Sequence, residues 1–144
     1  MQGAGDPEAE TVPEPDPEIY GGRVVAGDFD GNGYDDYACA YDYGNGNMAI
    51  WVFRSNGANF YAPQKWATSP AHDVTKVTGT MVAGDFNGDG LDDVAWMYDY
   101  GNGNMKVWTF LSNGSSFYTH SVWALSDDFD PKRVTSRVVA GDFD

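Results

Sequence analysis

The chain holds a single cysteine, Cys39, so no disulfide can form within it. Basic residues are scarce: eight Lys and Arg stand against 22 Asp and Glu, for a formal charge of −14. That balance excludes nucleic acid and anionic membrane surfaces as partners, since both demand a basic patch. No apolar run reaches membrane-spanning length, so no membrane insertion is expected. The N-terminus has neither a basic start nor an apolar stretch, so no signal peptide is present in this chain. No segment carries a helical period over a useful length. Catalytic signatures are missing as well: there is no G-x-S-x-G and no H-E-x-x-H. The two histidines, His72 and His120, align with Phe129 and Pro63 in the internal repeat described next, so neither belongs to a repeated plan. The expectation is a protein that is not an enzyme.

What the chain does contain, it contains twice. Residues 25–81 recur at 82–138 with a register of about 57 residues. VAGDFDGNGYDD becomes VAGDFNGDGLDD, YDYGNGNM returns unchanged, and Trp66 returns as Trp123. A third copy opens with VVAGDFD at 138–144. Residues 1–22 are different: rich in Pro, Gly and acid, without Lys or Arg, they read as a disordered tail or linker. The expected organisation is therefore a tail at 1–22 and a repeat array at 23–144. In it, 24–80 forms one unit, 81–137 a second, and 138–144 the start of a third.

Each unit predicts four short strands. The first is VVAGDF at 24–29, copied at 81–86. The second covers 36–43 and 93–100, and the third 48–54 and 105–111. The fourth is expected at 60–66 and 117–123, placed at a sheet edge by Pro63. A variable connection follows at 67–77 and 124–134. The third strand is apolar on both faces, with Met48, Ile50 and Val52 on one and Trp51 and Phe53 on the other. A sheet wet on one side would alternate. Four strands per period, buried on both faces and repeated, predict an all-β fold of β-propeller blades.

The loop between the first two strands carries the chemistry. Counting Asp28 as position 1, oxygen side chains fall at Asp28, Asp30, Asn32 and Asp36, with the Tyr34 carbonyl at position 7. The second loop supplies Asp85, Asn87, Asp89, the Leu91 carbonyl and Asp93. Positions 1, 3, 5, 7 and 9 with Gly at 6 are the opening arc of a calcium-wrapping loop. No His or Cys lies nearby, which disfavours zinc and copper. Two calcium ions per chain are expected. The pairs Asp35/Asp36 and Asp92/Asp93 could serve glycoside hydrolysis, but the second member of each is already a metal ligand.

These loops, GDFDGNGYDDYA and GDFNGDGLDDVA, resemble the FG-GAP/VCBS repeat, found in integrin α-subunit propellers and in secreted bacterial and fungal proteins. The resemblance implies a calcium-stabilised β-propeller, and a family that includes lectins and accessory modules of secreted hydrolases. Such propellers hold six or seven blades in one chain, whereas this chain has two.

The turn face opposite the calcium loops offers a ligand site. Tyr43, Asn45 and Asn47, with their copies Tyr100, Asn102 and Asn104, join an aromatic ring to several amides, as sugar sites do. Trp66 and Trp123, expected to be half exposed, could add a flat ring; Trp51 and Trp108 read as core. The expected function is a calcium-stabilised binding module for carbohydrate or glycoprotein, in a secreted or cell-surface setting. Alternatives are an accessory or adhesion domain of a larger protein, or a self-assembling structural unit. Two blades cannot close a ring, so two, three or four chains are expected to associate, with three preferred. In that reading the surplus strand lends Asp142 and Asp144 across the joint, unless the chain is cut from a longer array.

Overall fold

The computed structural model describes residues 23–134 and 138–144, apart from the side chains of 78–80. The expected tail at 1–22 lies outside the described residues. Two four-stranded antiparallel sheets follow one another. The first comprises β1 (Val24–Gly27), β2 (Asp36–Gly44), β3 (Asn47–Phe53) and β4 (Gln64–Ser69), in that spatial order. The second repeats it with β5 (Val77–Gly84), β6 (Asp93–Gly101), β7 (Asn104–Phe110) and β8 (Ser121–Ser126). Every neighbour in the sheet is a neighbour in sequence, so only short turns are needed.

The tightest turn joins β2 to β3 through Asn45 and Gly46. Their φ values of 57° and 77° are both left-handed, as a two-residue turn of type I′ demands. Asn is the non-glycine residue that tolerates this region best, which is why Asn102-Gly103 repeats the turn at φ 55° and 79°.

The fourth strands differ from expectation. They begin at Gln64 and Ser121, four residues later than expected, and run three residues further, to Ser69 and Ser126. Pro63 lacks an N–H for the ladder, but His120 stands in its place in the second sheet and that strand starts at the equivalent residue, so the proline does not set the start. Phe60 and Phe117 make only isolated bridges, to Ser55 and Ser112. The first strand of the second sheet starts early, at Val77, directly after a short 3-10 turn at Val74–Lys76 capped by Asp73.

The sheets stack face to face. The first contributes Ala38, Ala40, Met48, Ile50, Val52 and Trp66 to one core; the second answers with Val77, Met81, Val94, Trp96, Phe110 and Phe117. β3 is buried on both sides along most of its length, as its double apolar pattern predicted. Phe117 stands edge-on to both Phe29 and Trp66, with ring centroids 5.6 and 5.2 Å apart. Burial of each such ring stabilises the stack by about 1.5–3 kcal/mol.

Polar clasps fix the register of that stack. The N–H of Asp28 donates to Asp92 Oδ2 at 2.8 Å, and the N–H of Asp92 donates back to the Asp28 carbonyl at 2.9 Å. Ser112 Oγ donates to the Phe29 carbonyl at 2.6 Å, and the Phe117 N–H to the Trp66 carbonyl at 3.0 Å. Tyr98 Oη accepts from the Asp73 N–H at 3.1 Å. Gly27 packs closely at the joint: a Cβ there would sit 3.1 Å from both Ala83 Cβ and Asp92 Oδ2. His72 completes the joint. It is buried, its ring packed edge-on against Trp96, Tyr98, Trp108 and His120 of the second repeat. Burial, with His120 beside it, pulls its pKa down to about 4.

Candidate metal centre

Both loops fold around the carboxylate at position 1. Asp28 Oδ1 accepts the N–H groups of Gly31 at 2.8 Å and Asn32 at 3.1 Å, and Oδ2 accepts that of Gly33 at 2.8 Å. Asp85 does the same with Asp89 at 3.0 Å and Gly90 at 2.7 Å. The bend at position 6 requires φ near +90° at Gly33 and Gly90, a region that side chains avoid. The far ends are anchored alike. Buried Asp36 accepts from the N–H groups of Phe29 and Ser55 at 2.9 and 2.8 Å; buried Asp93 accepts from Phe86 and Ser112 at the same distances. Ser55 and Ser112 open the Ser-Asn-Gly turns at 55–57 and 112–114, so those turns lie beside the loops.

In the first loop, carboxylate oxygens of Asp28, Asp30 and Asp36 lie within 4.8 Å of one another. Two oxygens bound to one calcium ion at about 2.4 Å each can be no further apart than roughly this. The donors are all carboxylate or amide oxygens, which suits a hard cation. The residues therefore fit calcium. Their crowding has an electrostatic cost: the Asp30 carboxyl is pushed up by burial and by the charges of Asp36 and Asp28. Arg54, 3.8 Å from Asp30, answers part of that charge in the first loop, where the second has Leu111.

The second loop is built from the same positions with different chemistry. Asn87 replaces an acid at position 3, and its Nδ2 donates to Asp89 Oδ2 at 3.2 Å. Asp93 is pushed up by burial and by Asp89 and Asp85, while Asp85 is held down by the Gly90 and Asp89 N–H groups. The Tyr34 ring crosses the SNG turn: a Cβ at Gly57 would lie 2.6 Å from it. Leu91 takes the same place with a lighter touch, 3.9 Å from the Cβ position of Gly114.

The opposite end of each sheet carries the Tyr-Gly-Asn-Gly-Asn turns. Asn47 and Asn104 donate their amides back to the carbonyls of Gly44 and Gly101, at 3.2 and 3.1 Å. Asn45 and Asn102 sit exposed at the tips. Tyr43 Oη accepts the Trp51 indole N–H at 3.2 Å, and Tyr100 Oη that of Trp108 at 3.1 Å. A lysine amine lies over each pair, 5.5 Å from the Tyr43 ring for Lys65 and 5.2 Å from the Tyr100 ring for Lys106. The two lysines come from different strands, β4 and β7, yet reach the same Tyr–Trp pair.

Trp66 and Trp123 part company. Trp123 is 48 % exposed, as expected, but Trp66 is 4 % exposed and belongs to the core. The reason is Phe117 of the second sheet, which covers Trp66 and has no counterpart over Trp123. Sequence reasoning also treated Asp92 as a bystander of the metal ligand Asp93. Its identity with Asp35 in the other repeat was the available signal for a structural task. His72 was set aside because it breaks the repeat; it is a buried plug between the sheets.

Residues 28–96 match the family model described as an FG-GAP-like repeat. The matched span runs from the first acidic loop through the second and into β6. No curated protein and no solved structure matches the chain.

Proposed function

Residues 28–96 carry an FG-GAP-like repeat, and on that premise we propose a non-catalytic, calcium-stabilised binding module of propeller type that engages carbohydrate outside the cell. The calcium reading rests on the convergence of Asp28, Asp30 and Asp36 within 4.8 Å. Asp28, Asp30, Asn32 and Asp36 would hold one ion with the Tyr34 carbonyl, and Asp85, Asn87, Asp89 and Asp93 a second with that of Leu91. The ion supplies positive charge where carboxylates crowd, and stabilises the folded form because only that form binds it. Extracellular calcium is plentiful enough for weak loops of this kind, and no helix among the described residues is long and apolar enough to cross a membrane.

The carbohydrate reading rests on the turn face. Tyr100 is 46 % exposed beside the exposed Asn102 amide and the Lys106 amine. A ring face with a few polar groups is the composition of a sugar site. Tyr43, Asn45 and Lys65 repeat it in the first sheet, so two weak sites on one chain would act together. Asn47 and Asn104 are committed to their own turns and support the site rather than touch the sugar.

Melting with and without a chelator tests the calcium reading. Saturation at about a hundred times Kd adds roughly 2.7 kcal/mol; an unchanged melt in excess chelator rejects it. A glycan array tests the ligand, with Tyr100→Ala and Asn102→Gly as variants. The Gly variant keeps the left-handed turn and removes only the amide. Binding that survives both substitutions, paired with their first-repeat equivalents, puts the sugar site elsewhere.

A further inference from the structure

Eight residues make the polar clasps and aromatic caps of the joint between the two sheets, four on each side. The first sheet supplies Asp28, Phe29, Trp66 and Asp73; the second supplies Asp92, Tyr98, Ser112 and Phe117. Every one has an identical counterpart in the other repeat. The counterparts of the receiving set, Asp85, Phe86, Trp123 and Asp130, stand on the outer face of the second sheet. Those of the inserting set, Asp35, Tyr41, Ser55 and Phe60, stand on the outer face of the first. Among the described residues neither outer set meets the other.

Exposure records the difference. Phe117 is 7 % exposed and Phe60 59 %; Val94 is fully buried while Tyr37, at its place in the first sheet, is 41 % exposed. Two grooves mark the receiving face. One, of about 510 Å³, is lined by Gly84, Asp85, Phe86 and Asp142. Gly84 and Asp85 are the counterparts of Gly27 and Asp28, where the Asp92 side chain seats in the internal joint. The other, of about 430 Å³, lies against Phe129 and Asp130. Phe129 holds the position from which His72 plugs the internal joint.

We propose that the outer face of the second sheet receives the outer face of the first sheet of a second copy of this chain, repeating the internal joint between molecules. Asp35 of the incoming copy enters the groove at Asp85 and accepts its N–H. Phe60 covers Trp123, and Ser55 donates to the Phe86 carbonyl. Aromatic rings fill both sides of the contact, and the two faces differ from each other. Such a head-to-tail contact builds a ring or an open fibre rather than a two-fold dimer.

The segment 138–144 is accommodated by the same logic. Ala140 Cβ lies 3.6 Å from the Cβ position of Gly84, much as Ala83 lies 3.1 Å from that of Gly27. Its sequence, VVAGDFD, is identical to that of 24–30. Either segment can therefore hold the first-strand place at the joint, and the surface presented is the same.

Light scattering on the full chain, over a range of concentrations, reads the proposal. A mass above that of one chain is expected. Phe60→Asp and Trp123→Asp should each return it to one chain. Leu125→Asp, at an exposed position outside the set, should leave it unchanged. The decisive arm mixes the two deficient variants. Each retains one working face, so the mixture should stop at two chains, a limit that a two-fold contact does not produce. Phe60 and Trp123 are exposed in the single chain, so each variant should keep its melting temperature at low concentration. Wild-type protein that stays a single chain at high concentration, or deficient variants that do not pair when mixed, overturns the proposal. The calcium reading is judged by chelator melting and stands or falls separately.

Discussion

Trp66 and Trp123 occupy the same position in two repeats and have opposite surroundings. One is sealed under Phe117; the other shows half its surface to solvent. The same contrast runs through Phe29 and Phe86, Val94 and Tyr37, Asp92 and Asp35. A repeat of this kind buries nothing decisive alone. Its neighbour completes it, which is the stability rule of stacked repeats.

That contrast can be broken most severely at the tryptophans. Trp66→Ala should cost about 3–5 kcal/mol in denaturant unfolding, because it leaves a cavity in a packed joint. Trp123→Ala, measured on the dilute single chain, should cost under about 1 kcal/mol. Equal losses would mean that the second sheet is covered in solution.

The next test is the aspartate pair. Asp92→Ala removes the acceptor of the Asp28 N–H and should cost about 1–3 kcal/mol. Asp35→Ala touches no such bond within one chain and should fall within about 0.5 kcal/mol of wild type.

Acid sharpens the comparison further. His72 is neutral in the fold, with a pKa near 4, and ordinary when unfolded. Between those values the unfolded chain binds more protons. The stability His72 contributes is thus complete above pH about 6.5 and is lost as pH falls toward 4. His120, lowered in the same direction by burial, adds to the loss. His72→Phe, which installs the residue of the second repeat, should flatten melting temperature against pH across that window. An unchanged slope would locate the acid sensitivity in the carboxylates instead.

The smallest effect belongs to the turns. Asn45→Gly and Asn102→Gly keep φ near +55° without strain and should change stability by no more than about 0.5 kcal/mol. Asn to Ala at the same sites should cost more, about 1 kcal/mol. A difference between the two turns in this series would be the one place where the hairpins themselves, and not what covers them, are unequal.

Much of this molecule is legible from residue order alone. Period, strand count, the type I′ turns at Asn-Gly and the bend at Gly33 and Gly90 are local consequences of backbone sterics. So is the approach of Asp28 and Asp30, two positions apart on a tight loop; Asp36 joins them six residues later, past the bend at Gly33. The double apolar face of β3 announced burial on both sides. The fourth strands were misplaced because Phe60 and Phe117 look like strand residues. Phe117 instead covers Trp66 of the neighbouring sheet, and ladder pairing begins only at Gln64 and Ser121.

The partner of each residue across the sheets was not legible. Asp35 and Asp92 are the same letter in the same motif, and only the stack makes one a clasp and leaves the other in water. His72 looked like an accident because no periodic argument covers it; its burial follows from packing against Trp96, Tyr98 and Trp108. Sequence by itself determined the blade-like unit and its acidic loop, since those rest on contacts a few residues apart. Tertiary structure alone decided which copy of each residue is buried, since that depends on a second sheet tens of residues away.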